Sequence, residues 1–86
     1  MKQLIEVTEN VGLDSLLGEY VLLICGAYFY TGKLTGVNET FVQLENPSIV
    51  YETGSWSNKT YTDAQKLHAD TWFVQRSAIE SFGKSK

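Results

Sequence analysis

Catalysis requires acids, bases or nucleophiles that converge, and this chain offers few: one histidine, His68, one cysteine, Cys25, and no glycine-rich loop of phosphate-binding spacing. The residues therefore predict neither an enzyme nor a cofactor. His68 lies between Lys66 and Asp70, and the supply of Cys and His is too small to complete a metal-ligand set, so it reads as an exposed loop residue. Cys25 sits in an apolar stretch and reads as a small buried side chain; a lone cysteine also excludes an internal disulfide. What remains is planar and hydrogen-bonding chemistry. The Arg76 guanidinium can stack on a flat ring or fork onto an oxyanion, its neighbour Gln75 can bond the edge of a heterocycle, and Phe41 can supply a stacking face. The competing reading puts Phe41 in the core and Arg76 on a solvated rim. Asn38-Glu39-Thr40 and Asn58-Lys59-Thr60 match the glycosylation sequon, but residues 1–10 have no export-signal core, so both triplets read as turns.

The elements that would position these groups are short strands. Leu13, Leu16 and Leu17 share one face of a short helix over residues 12–17, which Gly18 can end. Residues 19–25 are almost continuously apolar, as in a central strand covered on both faces, and Gly26-Ala27 turns the chain. In the second strand, 28–37, Tyr30, Gly32, Leu34 and Gly36 fall on one side, and the two glycines mark places where a sheet bends or another backbone comes close. Asn38-Glu39 turns into a third strand over 40–51, which Pro47 splits into two pieces with a bulge or bend near Asn46-Pro47-Ser48. Residues 52–69 carry loop composition, with strand extensions through Tyr51 and Tyr61 or a turn of helix near Asp63 to Leu67 as alternatives. Strands over 70–76 and 78–82 follow, hinged at Ser77, and residues 83–86 read as mobile.

This pattern resembles the Sm and Sm-like family. Gly32, Leu34 and Gly36 stand where its first motif has glycine, leucine and glycine, with Val37 and Asn38 in the places of an aromatic residue and Asp. The spacing from Gly32 to Asn46, and the closing Arg76-Ser77-Ala78-Ile79, are similar to the bacterial Hfq branch, and the resemblance spans about residues 12–82. It implies a mainly β fold: a five-stranded, strongly bent SH3-like barrel (the Sm fold) with a short N-terminal helix, as one domain over 1–86 with an irregular insertion at about 52–69. It also implies two pocket loops for single-stranded RNA, one with Asn38, Thr40 and Phe41 and the other with Gln75, Arg76 and Ser77. In that family the fourth strand of one subunit pairs with the fifth of the next, closing a homo-oligomeric ring. Trp72, Phe73, Val74, Ile79 and Phe82 are the interface residues this implies, with Val74 contributing a pairing donor.

Composition sets bounds on this reading. Apolar residues make up 43% and charged residues 20%, the balance of a folded domain and not of a disordered chain. A chain of 86 residues buries little surface, so association would add stability. The longest mostly apolar run, residues 20–30, is too short to cross a bilayer; with no signal core, a cytoplasmic protein without membrane contact is expected. The net charge of −3 argues against indiscriminate attraction to phosphates. Residues 1–52 carry two basic and seven acidic side chains and residues 53–86 five and three, so positive charge gathers late. The clustered aromatics Tyr28-Phe29-Tyr30, Trp56, Tyr61 and Trp72 read first as packing residues and second as a stacking surface. Two functions stay open: a non-catalytic RNA-binding ring, favoured by Arg76 with Gln75, and a protein-interaction or structural barrel without nucleic-acid affinity, favoured by the acidic composition.

Overall fold

The computed structural model describes residues 12–86. Six strands form one antiparallel sheet: β1 (Tyr20–Cys25), β2 (Phe29–Val37), β3 (Phe41–Glu52), β4 (Asp63–Lys66), β5 (Thr71–Gln75) and β6 (Ile79–Lys84). They run in the order β4-β3-β2-β1-β6, and β5 also pairs with β3. The mainly β expectation holds, but with six strands, and no ladder joins β5 to β6 among the described residues, so the sheet is unclosed. Among the described residues no helix is long and apolar enough to cross a membrane.

The expected helix over 12–17 is a single 3₁₀ turn, Leu13–Leu16, which buries Leu13. Gly18 ends it at φ 88, and its N–H donates to Leu34 O at 2.7 Å, tying the turn to β2. β1 has neighbours on both sides, β2 and β6, and so buries four of its six residues: Val21, Leu22, Leu23 and Cys25. Its inward side chains join Leu13, Leu34, Val42, Leu44 and Val74 in one core, against which Leu16, Tyr30, Val37, Trp72 and Ile79 pack.

β2 bends at its glycines. The β2–β3 register slips between Thr31 and Lys33, and again between Leu34 and Gly36. A Cβ on Gly32 would lie 3.0 Å from Glu45 O, 3.1 Å from Leu44 Cβ and 3.3 Å from Pro47 Cα, so only glycine lets the two backbones come this close.

Pro47 does not split β3. The strand runs unbroken from Phe41 to Glu52, with Pro47 fully buried, and the expected bulge is present as two residues, Asn46 and Pro47, opposite Gly32. Asn46 takes φ 52 there, a conformation that asparagine tolerates better than most residues. Pro47 falls between the last pair with β5, at Glu45, and the first pair with β4, at Ser48, so its missing donor interrupts neither ladder, and its carbonyl accepts from Leu67 N–H at 2.9 Å. The bulge is also where β3 changes partner: Phe41 to Glu45 pair with β5, and Ser48 to Glu52 pair with β4.

The helical alternative for Asp63 to Leu67 is overturned, since Asp63–Lys66 is a strand. The expected mobility of residues 83–86 is overturned too: Gly83 and Lys84 pair with β1, and Ser85 N–H donates to Tyr20 O at 2.9 Å. The Ser77 hinge takes the form of a second 3₁₀ turn, Arg76–Ala78.

Candidate nucleic-acid interface

Two loops distant in sequence meet at one corner. In the β2–β3 turn, Asn38 Oδ1 accepts from Thr40 N–H at 2.7 Å and from Phe41 N–H at 2.8 Å, while Asn38 N–H donates to Phe41 O at 3.0 Å. A side chain that mimics backbone in this way fixes the turn. The end of β5 is stitched onto it: Arg76 N–H donates to Thr40 O at 2.8 Å and Arg76 Nη1 to Asn38 O at 2.9 Å. Gln75 stands opposite Phe41 in the ladder. Five of the six residues expected to bind, Asn38, Thr40, Phe41, Gln75 and Arg76, are thus brought together. Ser77 is exposed in the adjoining 3₁₀ turn, and no hydrogen bond joins it to the corner among the described residues.

Phe41 is not in the core. It is 37% exposed and meets Phe73, 56% exposed, edge to face, with ring centroids 5.2 Å apart at 85°. Strand alternation explains the pairing, because Val42, Leu44 and Val74 take the inner face and leave Phe41, Phe73 and Gln75 outside. The Nη1 bond fixes one of the guanidinium's five N–H donors; among the described residues no other acceptor meets the group. Glu39, exposed in the same turn, adds a negative charge that opposes any anion at this corner.

The two outer strands carry the expected interface residues. Phe73 and Phe82 present exposed rings, whereas Val74 is in the core and Trp72 and Ile79 pack against it. The bonds from Arg76 N–H to Thr40 O and from Asn46 N–H to Asp70 O fix the alternation of the β3–β5 ladder. By that alternation Val74 bonds inward to β3, while Thr71, Phe73 and Gln75 turn their amides and carbonyls outward. Phe73, not Val74, is therefore the residue whose donor faces away from the sheet. On β6 the bond from Ser85 N–H to Tyr20 O places the groups of Phe82 and Lys84 outward in the same way.

A cleft of about 270 Å³ that the sequence did not signal opens between the β1–β2 turn and β5, lined by Cys25, Tyr28, Tyr30, Trp72, Phe73 and Gln75 among others. Burial pushes the Cys25 thiol above its ordinary value and the negative charge of Glu80 adds to this, so the thiolate is scarce at neutral pH. Burial also raises the Tyr30 phenol. Of the aromatic cluster, Tyr30 and Trp72 pack against the core, while Tyr28 stands edge-on to Tyr51 at 6.3 Å and both remain exposed. His68 is exposed and lies edge-on to Trp72 at 5.8 Å; no group of three potential metal ligands occurs among the described residues.

Comparisons with family models, curated proteins and solved structures found no match to this chain.

Proposed function

We propose that the chain is an Sm-like, non-catalytic protein that assembles into a ring and binds single-stranded RNA at the Asn38–Arg76 corner. The observation that carries this reading is the joining of the two loops by Arg76, which sets a guanidinium, a carboxamide and an exposed Phe41–Phe73 pair on one surface. Stacking on a flat side chain combined with edge reading by amides and arginine is how single-stranded RNA is commonly held. Sheet order supports the assembly. β5 and β6, the strands the Sm-like resemblance would pair between subunits, both lie at edges, each with an exposed phenylalanine and outward backbone groups. Such edges favour association over a monomer, and a head-to-tail contact that closes on itself gives a ring.

Light scattering on the purified protein at tens of micromolar is expected to give one discrete oligomer. Short uridine-rich and adenine-rich RNAs, titrated at low and moderate salt, are expected to bind with an affinity that falls as salt rises. A monomer would overturn the ring. A discrete oligomer that binds neither RNA at low salt would replace this reading with that of a protein-interaction barrel.

A further inference from the structure

Outside the corner described above, the most complete arrangement of ligating groups among the described residues surrounds Lys86. Its Nζ donates to Thr53 O at 2.6 Å, Ser55 O at 2.9 Å and Thr60 O at 3.4 Å. The same nitrogen lies 5.3 Å from the ring centroid of Trp56 and 5.1 Å from that of Tyr61. An ammonium has three N–H donors and no acceptor, and here three carbonyls and two π-faces meet it. The loop is shaped for this. Gly54 takes φ 70, and a Cβ there would collide with Thr62 Oγ1, so the turn that aims the Thr53 and Ser55 carbonyls requires glycine. Tyr61 is held from behind, its hydroxyl 2.6 Å from Ser85 Oγ, which in turn accepts from Thr31 Oγ1 at 2.9 Å. Trp56 is 63% exposed, so the cage opens to solvent on one side.

We infer that residues 53–61 form a binding site for a primary ammonium group, that Lys86 is its occupant in cis, and that the lysine side chain of another polypeptide can take its place. The carbonyls set the selectivity. A quaternary ammonium could use the two rings but has no N–H for the three oxygens, so the site favours primary amines over methylated ones. Occupancy by Lys86 also makes the site a latch, because the lysine directly follows Ser85, whose N–H extends the β6–β1 ladder. A ligand tethered this closely competes at an effective concentration on the order of millimolar, so an external amine binds the intact chain less well than a chain lacking the lysine.

The test uses the full chain, amide and indole NMR spectra, and n-butylammonium with tetramethylammonium as its control. Lys86→Ala and Lys86→Met should both shift the Trp56 indole resonance and the amides of residues 53–62, and hydrogen exchange there should become severalfold faster. Butylammonium should move the Lys86→Ala resonances back toward the parent positions, tetramethylammonium should not, and the parent should need severalfold more butylammonium for any response. If Lys86→Met keeps the parent spectrum, the aliphatic stem and not the charge holds the loop, and the inference fails. Equal action of the two ammonium ions, or no response of Lys86→Ala to butylammonium, would also overturn it. Gly54→Ala added to the Lys86→Ala chain gives an independent reading: the core should remain folded while the butylammonium response is lost, and an undiminished response would count against the cage.

Discussion

Leu23→Ala is expected to destabilise the subunit by about 2–5 kcal/mol, the range for removing a fully buried leucine when the cavity cannot collapse. Leu23 is 0% exposed, is among the largest fully buried side chains, and sits on β1, which has a neighbour on each side. The surrounding Val21, Leu34, Val42, Leu44 and Val74 are held by ladders of their own and cannot easily close over the gap. Small domains have about 5–15 kcal/mol in total, so the variant loses a large share. In a domain of this size each kcal/mol lowers Tm by about 4–8 °C. Leu17→Ala is the control: Leu17 is 49% exposed, and its loss should change stability by no more than about 0.5 kcal/mol. Thermal unfolding followed by circular dichroism compares the two. Equal stability of both variants would mean that β1 is not the centre of the core.

Arg76→Ala is expected to weaken RNA binding by about 1–3 kcal/mol, the value of one stacked or bidentate contact. Because Arg76 Nη1 also bonds Asn38 O, the substitution loosens the turn as well as removing a contact. Arg76→Lys separates the two effects, since it keeps the positive charge but loses the planar fork, and it should recover only the salt-dependent part of the affinity. Lys84→Ala, in β6 away from the corner, should change affinity little. Each variant is checked by light scattering for intact assembly and by filter binding for affinity. If Arg76→Ala leaves the assembly intact and the affinity unchanged, the proposed corner site is wrong.

Much of this sheet could be read in the sequence because its strands carry their own patterns. The nearly continuous apolar run of residues 19–25 predicted a covered central strand, the glycines at 32 and 36 predicted bends, and Asn38 with Glu39 predicted a turn; each has a local physical cause. β4 escaped because Asp63–Lys66 is exposed at every position and has no apolar alternation, so its strand form comes from pairing with Ser48 to Glu52 and not from its own residues. Pro47 misled for a related reason, since a missing donor breaks a strand only where the ladder requires one. For the candidate site, residue types suggested the chemistry of Phe41, Gln75 and Arg76. What no sequence pattern could supply was the Arg76 bond to the Asn38 carbonyl, or the approach of Lys86 to residues 53–61, which exist only once the sheet is assembled.

The place of β1 between β2 and β6 gives its two edges different histories. The β1–β2–β3 meander is made of neighbours joined by short turns, whereas β6 reaches β1 from the far side of the 53–70 excursion. Closing that long loop costs chain entropy before any contact offsets it, so the β1–β6 seam belongs to the high-contact-order part of the molecule and is the seam expected to unzip first in the native ensemble. One strand records both events. Odd-numbered amides such as Val21 and Leu23 bond to β2, a parity set by Cys25 N–H donating to Tyr28 O, while Leu22 and Ile24 bond to β6. Native-state hydrogen exchange should therefore alternate along β1, faster at Leu22 and Ile24 than at Val21 and Leu23. Uniform protection along the strand would mean instead that the sheet opens as a single cooperative unit.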